Sequence, residues 1–189
     1  MFLLLVPTLV AGQTEREDEA EIREMMDSRD EEIKDLLGPE GTDYTEEQRE
    51  ELQSMINDVI DFETMAVEAL GPTYGELSAE LQEEFVSLFS TIVRDQSLNQ
   101  LDIYRADVTY ELIEVEGDQA RVNTIARLEN VRTPVDYRME RRDSEWMITD
   151  MIIDEVSTVE SYNRQFQSII RQRGFDALMD SLRRRAARN

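Results

Sequence analysis

The chain has 189 residues, with 43 Asp or Glu against 20 Lys or Arg, a formal net charge of −23, and neither Cys nor His. That length suits a single domain with a real core, and the missing residue types exclude disulfides, thiol nucleophiles, Cys-type zinc or iron–sulfur sites, Ser-His-Asp triads and imidazole ligands. Such a negative surface argues against a nucleic-acid backbone as partner, since that is itself a polyanion.

Residues 1–11 are apolar except for Thr8, and they are too few to span a bilayer as a helix, which takes about 20 residues. They read as the apolar part of a secretory signal, with the small Ala11 and Gly12 near the cleavage point and the basic leading segment absent. Residues 1–12 are therefore assigned as a signal-peptide remnant and the chain as exported; the alternative is a short buried strand or helix. Residues 13–44 form an acidic helix and linker. Ile22, Met25, Met26, Ile33, Leu36 and Leu37 recur at helical spacing between Glu15 and Leu37, giving one narrow apolar stripe ended by Gly38-Pro39.

Thr45-Glu46-Glu47-Gln48 is a capping box, and the helix after it carries Leu52, Met55, Ile56, Val59 and Ile60 on one face. Asp61 caps a second apolar set, Phe62, Met65, Ala66, Ala69 and Leu70, so a bend is expected near 61. Ser78 caps the next helix, whose stripe is Leu81, Phe85, Leu88, Phe89 and Ile92, with a continuation expected through Leu98 and Leu101.

The period then changes to two. Val108, Tyr110 and Leu112 alternate with polar residues, as do Ala120, Val122, Thr124, Ala126 and Leu128, then Val135, Tyr137 and Met139. Trp146 and Ile148 lead into Met151, Ile152 and Ile153. Four strands joined by short turns predict an antiparallel meander with one apolar face. Helical spacing returns at Val159, Tyr162, Phe166, Ile169 and Ile170, stops at Gly174, and resumes in Phe175, Leu178, Met179 and Leu182 before a basic tail at 186–189. Helices, strands and helices in separate runs give the α+β class: a four-stranded antiparallel sheet packed on a helical bundle.

Charge divides along the chain. Residues 14–63 hold 20 acids and five bases, whereas residues 171–189 hold six Arg and two Asp. Nineteen of the 20 bases are Arg, with Lys34 the exception, a bias that fits either a saline habitat or GC-rich coding.

Several short motifs occur in a telling order: Asp61-Phe62-Glu63-Thr64-Met65-Ala66 with Ala69-Leu70-Gly71; Leu77-Ser78-Ala79-Glu80-Leu81 through Phe85; Val135-Asp136-Tyr137-Arg138-Met139; Trp146 with Asp150-Met151-Ile152-Ile153; Val156-Ser157; Tyr162-Asn163-Arg164-Gln165-Phe166; and Gly174-Phe175-Asp176-Ala177-Leu178. Together, from about residue 20 to 185, they resemble the MlaC or toluene-tolerance family. The resemblance implies a periplasmic carrier of glycerophospholipid in a Gram-negative-type envelope. It implies exchange between an outer-membrane lipoprotein complex and an inner-membrane ABC transporter with an MCE-domain protein. It also implies a sheet set against helices with the acyl chains held between them in an apolar cavity, over residues 45–185. One departure stands out: the family usually has Gly before the Val-Ser pair, where this chain has Glu155, a residue that resists the backbone geometry Gly permits.

On the apolar faces of these elements, the residues expected to line the cavity are Met55, Val59, Met65, Phe85, Phe89, Ile92, Leu101, Tyr104, Tyr110, Val122, Tyr137, Ile148, Ile152, Val156, Tyr162, Phe166 and Ile169. No catalytic residue, metal ligand or cofactor is expected; phospholipid is cargo, and the chain is expected to be monomeric. Nine Met suit either an adaptable cavity wall or ordinary gap-filling. Asp150 is expected to partner a backbone group or an Arg, Ser157 to be a cap or turn residue, and Trp146 to be core. Two rival readings remain: a small enzyme on the same scaffold using Asp150 and a tyrosine, and an interaction module whose acidic helix docks a basic partner over a close-packed interior.

Overall fold

The computed structural model describes residues 8–98 and 101–187. Helix α1 (Thr8–Leu37) starts upstream of Glu15 and contains Gly12; residues 1–7, most of the expected signal remnant, lie outside the described residues, as do residues 188–189 of the tail. The capping box opens α2 (Glu46–Asn57): the Gln48 amide donates to Thr45 Oγ1 at 3.2 Å and the Thr45 amide to Gln48 Oε1 at 3.0 Å. The expected bend near 61 is a full break. Ile60 forms a parallel bridge to Ile148, and Asp61 then caps α3 (Phe62–Leu70) by accepting from the Thr64 amide at 2.9 Å.

Helix α3 ends where two of the sequence motifs meet. Gly71 has φ +63°, and a Cβ there would lie 3.1 Å from Asn163 Nδ2. That amide donates to the Ala69 carbonyl at 3.1 Å, and Gln167 Nε2 donates to the Leu70 carbonyl at 2.8 Å. Side chains of a later helix thus satisfy carbonyls that α3 cannot pair internally. A 3-10 turn, Gly71–Glu76, leads into α4 (Ala79–Leu98); Leu101 opens a second 3-10 turn, Leu101–Arg105, and does not prolong α4.

Strands β1 (Asp107–Glu116), β2 (Gln119–Leu128), β3 (Val131–Arg142) and β4 (Glu145–Ile153) form the expected antiparallel meander. The sheet has five strands, however, not four: β5 (Val156–Ser157) pairs Val156 with Ile153 and Ser157 with Ile152. The cause is a two-residue reversal in which Asp154 and Glu155 both have positive φ, +50° and +65°. Glu155 therefore adopts the left-handed geometry that it was expected to resist, at a cost of roughly 1–2 kcal/mol. A two-residue strand is too short for alternation to reveal.

Two bulges correct the alternation. Leu112, expected on the apolar face with Val108 and Tyr110, pairs with Asn123 and is 47% exposed. The irregularity between Tyr110 and Leu112 hands the inner face to Ile113 and Val115. On β4 the irregularity opposite Arg138 and Met139 places Met151 across from Tyr137 and Ile153 across from Val135, leaving Ile152 on the opposite side, across from Asp136.

Ser157 caps α5 (Thr158–Arg173), accepting from the Glu160 amide at 3.0 Å, and Gly174, with φ +86°, ends it. Helix α6 (Phe175–Ala186) buries Leu178, Met179 and Leu182. Helices α3, α4, α5 and α6 pack on one another; α3 and α5 reach β4, and α1 lies along β1. The main core fills the space between sheet and helices, and a smaller one, Ile33, Leu37, Leu52 and Ile56, lies where α1 meets α2. Among the described residues no helix is long and apolar enough to cross a membrane.

Candidate functional site

The register sets the inner-face residues of the sheet in rows that run across the strands. The first row, Val115, Ala120, Met139 and Ile148, is wholly buried. In the second, Ile113, Val122, Tyr137 and Met151, only Val122 is fully buried. The third runs from Tyr110 through Thr124 and Val135 to Ile153 and Val156, which are 44% and 54% exposed. Val108, Ala126 and Thr133 follow, half-buried or less, and the last pair is Leu128 with Val131, which is 63% exposed. One apolar face is therefore closed by helices at one end and bare at the other.

The expected cavity residues divide by this geometry. Met65, Phe85, Phe89, Ile92, Val122, Ile148, Tyr162 and Phe166 are buried in the main core, and Val59, Tyr110, Tyr137 and Ile169 pack against it half-buried. Met55, Leu101 and Tyr104 belong to the smaller core. Ile152 sits on the other side of the sheet, and Val156 stands exposed on the inner-face rim. Reading the alternation straight through the bulges missed Ile113, Val115 and Met151; Met139, although on the alternation, was not singled out. No local signal marks either bulge.

In the main core the aromatic rings of α4 and α5 interlock. Phe89 and Tyr162 meet edge-on at 5.1 Å, and Phe85 and Phe166 edge-on at 5.7 Å. Two surface concavities flank the fold. One, of about 420 Å³, is a groove on the rim between Ile153, Val156, Tyr162, Gln165 and Arg185; the other, of about 410 Å³, runs along α1 by Arg23, Glu24, Asp27 and Glu31. The tyrosine hydroxyls face α1. Burial, then a hydrogen bond to Asp27 and the charge of that carboxylate, hold the Tyr110 hydroxyl well above its usual range; burial, then the charges of Asp30 and Asp136, push Tyr137 up to about 12.

Asp150, the strongest carboxylate candidate for chemistry, is fully buried and committed to structure. It accepts from Ser157 Oγ at 2.6 Å and from the Val159 amide at 3.1 Å, and lies 3.5 Å from Arg138 Nη1. Ser157, as expected, is a cap. Trp146 is core at 4% exposure, with Arg141 over its ring at 4.6 Å. Among the described residues no group of three acids is placed to hold a metal ion.

An antiparallel sheet whose apolar face packs against helices, with exposed aliphatic residues along one rim, defines an α+β domain. The MlaC protein family profile matches residues 22–184, and the chain belongs to that family. A solved structure with the same fold is that of a phospholipid-binding protein from Ralstonia solanacearum in complex with a phospholipid. It has 22% sequence identity and a TM-score of 0.72, covering 90% of this chain and 97% of that one. No curated protein matches.

Proposed function

We propose that this chain is a phospholipid-binding carrier that takes the acyl chains of a glycerophospholipid against the inner face of its sheet. The observation that carries the reading is the gradient of burial along that face, from closed rows at Met139 and Ile148 to the bare lip of Val131, Ile153 and Val156. Exposed aliphatic residues gathered at the end of an inner face mark a contact with something apolar. Family membership and the phospholipid held by the Ralstonia protein of like fold support it.

The energetics suit a shuttle. Burying about 0.8 kcal/mol per methylene, two chains of roughly 16 carbons give on the order of 20 kcal/mol gross. A bilayer already supplies nearly all of that, so exchange between membrane and protein is close to neutral. The wider role follows the family: export to the periplasm, and passage of lipid between an outer-membrane lipoprotein complex and an MCE-domain protein of an inner-membrane ABC transporter. Binding rather than catalysis is favoured by Asp150, whose carboxylate is spent on Ser157, Val159 and Arg138.

Native mass spectrometry of the protein made in bacteria, with extraction of its lipid, tests the reading. The expected result is about one or two phospholipids per chain. A lipid-free monomer that also takes up none from vesicles overturns it.

A further inference from the structure

The row of Val115, Ala120, Met139 and Ile148 is wholly buried and the rings of Phe85, Phe89, Tyr162 and Phe166 interlock in the same core, so an acyl chain reaches the inner rows only if an element moves. Helix α1 is held unevenly. Its C-terminal end is rooted: Ile33 and Leu37 are buried with Leu52 and Ile56. Arg105 reaches the carbonyls of Leu37 and Pro39 at 3.3 Å each and the Tyr44 hydroxyl at 2.8 Å, and it also binds the Gly38 carbonyl.

Toward the N-terminus the contact changes character. Ile22 is buried, but between it and Ile33 no side chain of α1 is, and Met25 and Met26 are only half so. Met25 and Met26 pack against the main core, and charges meet the apolar face beside them. Arg23 lies over the Tyr110 ring at 4.3 Å, and the carboxylates of Asp27 and Asp30 act electrostatically on the Tyr110 and Tyr137 hydroxyls. Near the N-terminal end Asp18 is buried in an ion pair with Arg141, which stacks on Trp146. The fit there is incomplete: Trp146 Nε1 and Arg141 Nε are buried without an acceptor among the described residues. A helix that covers apolar rows with charges and leaves buried donors unmet is held less firmly than one that buries an apolar stripe. The other candidate for movement, the α3–α5 pair, is tied together by Asn163 and Gln167.

We propose that α1 is a hinged cover on the lipid site. The Ile33–Leu37 end is the pivot, and the Asp18–Arg141 pair across Trp146 is the latch. Phospholipid reaches the rows of Tyr110 and Tyr137 when the N-terminal part of α1 lifts. This deepens, and rests on, the phospholipid reading above.

The chain has no Cys and a single Trp, which makes the test direct. In an Asp18→Cys, Arg141→Cys variant, a short bis-methanethiosulfonate linker joins α1 to β3 and dithiothreitol releases it. Uptake of a self-quenched fluorescent phosphatidylglycerol is followed from phosphatidylethanolamine–phosphatidylglycerol vesicles. The linked form is expected to load roughly tenfold or more slowly than the released form, an effect of the size set by about 1.4 kcal/mol in the barrier. Asp18→Asn is expected to load several-fold faster than the parent, and Trp146 emission is expected to shift as the parent loads. Equal rates for the linked and released forms overturn the cover while leaving lipid binding intact, and so does Trp146 emission that stays unchanged at full loading. A parent protein that takes up no lipid overturns the lipid reading and the cover with it.

Discussion

Asp150 shows how one buried carboxylate can look catalytic and be architectural. It ties the start of α5 to β4 through the Val159 amide, steadies the cap residue Ser157, and sits opposite Arg138 across the β3–β4 pair. Replacing it with Ala leaves the Ser157 hydroxyl and the Val159 amide without their acceptor, so a loss of about 2–4 kcal/mol in urea unfolding is expected. Asp150→Asn retains one acceptor and is expected to cost less and to keep lipid in native mass spectrometry; loss of lipid from a folded Asn variant would favour the enzyme reading. The tyrosines make a second prediction. Tyr110 and Tyr137 have folded pKa values raised above the ordinary 10, so the fold opposes their ionisation. Their contribution to stability is intact below pH 10 and is lost as pH rises from there through the folded value of about 12 for Tyr137. Tyrosinate absorbance at alkaline pH should therefore rise in two stages. Tyr110 and Tyr137 should ionise in the later stage, together with the loss of far-ultraviolet ellipticity. Ionisation of all six Tyr in one step near pH 10, with the fold intact, would contradict this.

At the scale of elements, what was legible depended on run length. Caps at Thr45, Asp61 and Ser157 and the stop at Gly174 act through the residue itself, and each stands where the sequence places it. The four long strands showed in their alternation. The bulges at Leu112 and opposite Met139 did not, because one inserted residue leaves no compositional trace yet flips every side chain beyond it. That is why Leu112 and Ile152 were assigned to the inner face and Ile113 and Met151 were not. The split of the cavity residues between two cores was equally hidden, since Met55 and Tyr104 lie on apolar stripes that only tertiary packing assigns to one cluster or the other. The β4–β5 reversal sits between these cases: the odd residue at 155 was visible, and its consequence was not. Glu155→Gly removes the strain of a left-handed non-glycine residue, so it is expected to stabilise the protein by about 1 kcal/mol in urea unfolding. A Gly there also loosens the unfolded chain, which trims the gain. An unchanged or lowered unfolding midpoint would mean that Glu155 makes a compensating interaction.

For the molecule as a whole, a net charge of −23 on 189 residues sets the balance between repulsion and attraction. Ion pairs do form: Arg183 binds Glu84 through Nε at 2.7 Å, and Arg142 binds Glu140 at 2.6 Å. These pairs are exposed enough for water and salt to screen them, so each contributes little to stability. Against them stand 20 acids and five bases in residues 14–63, spread over α1 and α2 and the start of α3, so most carboxylates there face others of the same sign. Salt weakens both effects, but repulsion has more members and acts over longer distances. Screening should therefore remove more of it than of the close pairs. Raising NaCl from about 10 to 150 mM shortens the screening length from about 30 to 8 Å. The thermal midpoint is expected to rise by several degrees over that interval, at about 2–4 °C per kcal/mol for a chain of this size. Most of the rise should come at the low end, where sodium chloride and sodium sulfate at equal ionic strength should act alike. A midpoint that falls with salt, or that moves only with sulfate at high concentration, would mean that the paired arginines or apolar burial, and not acidic self-repulsion, govern the response.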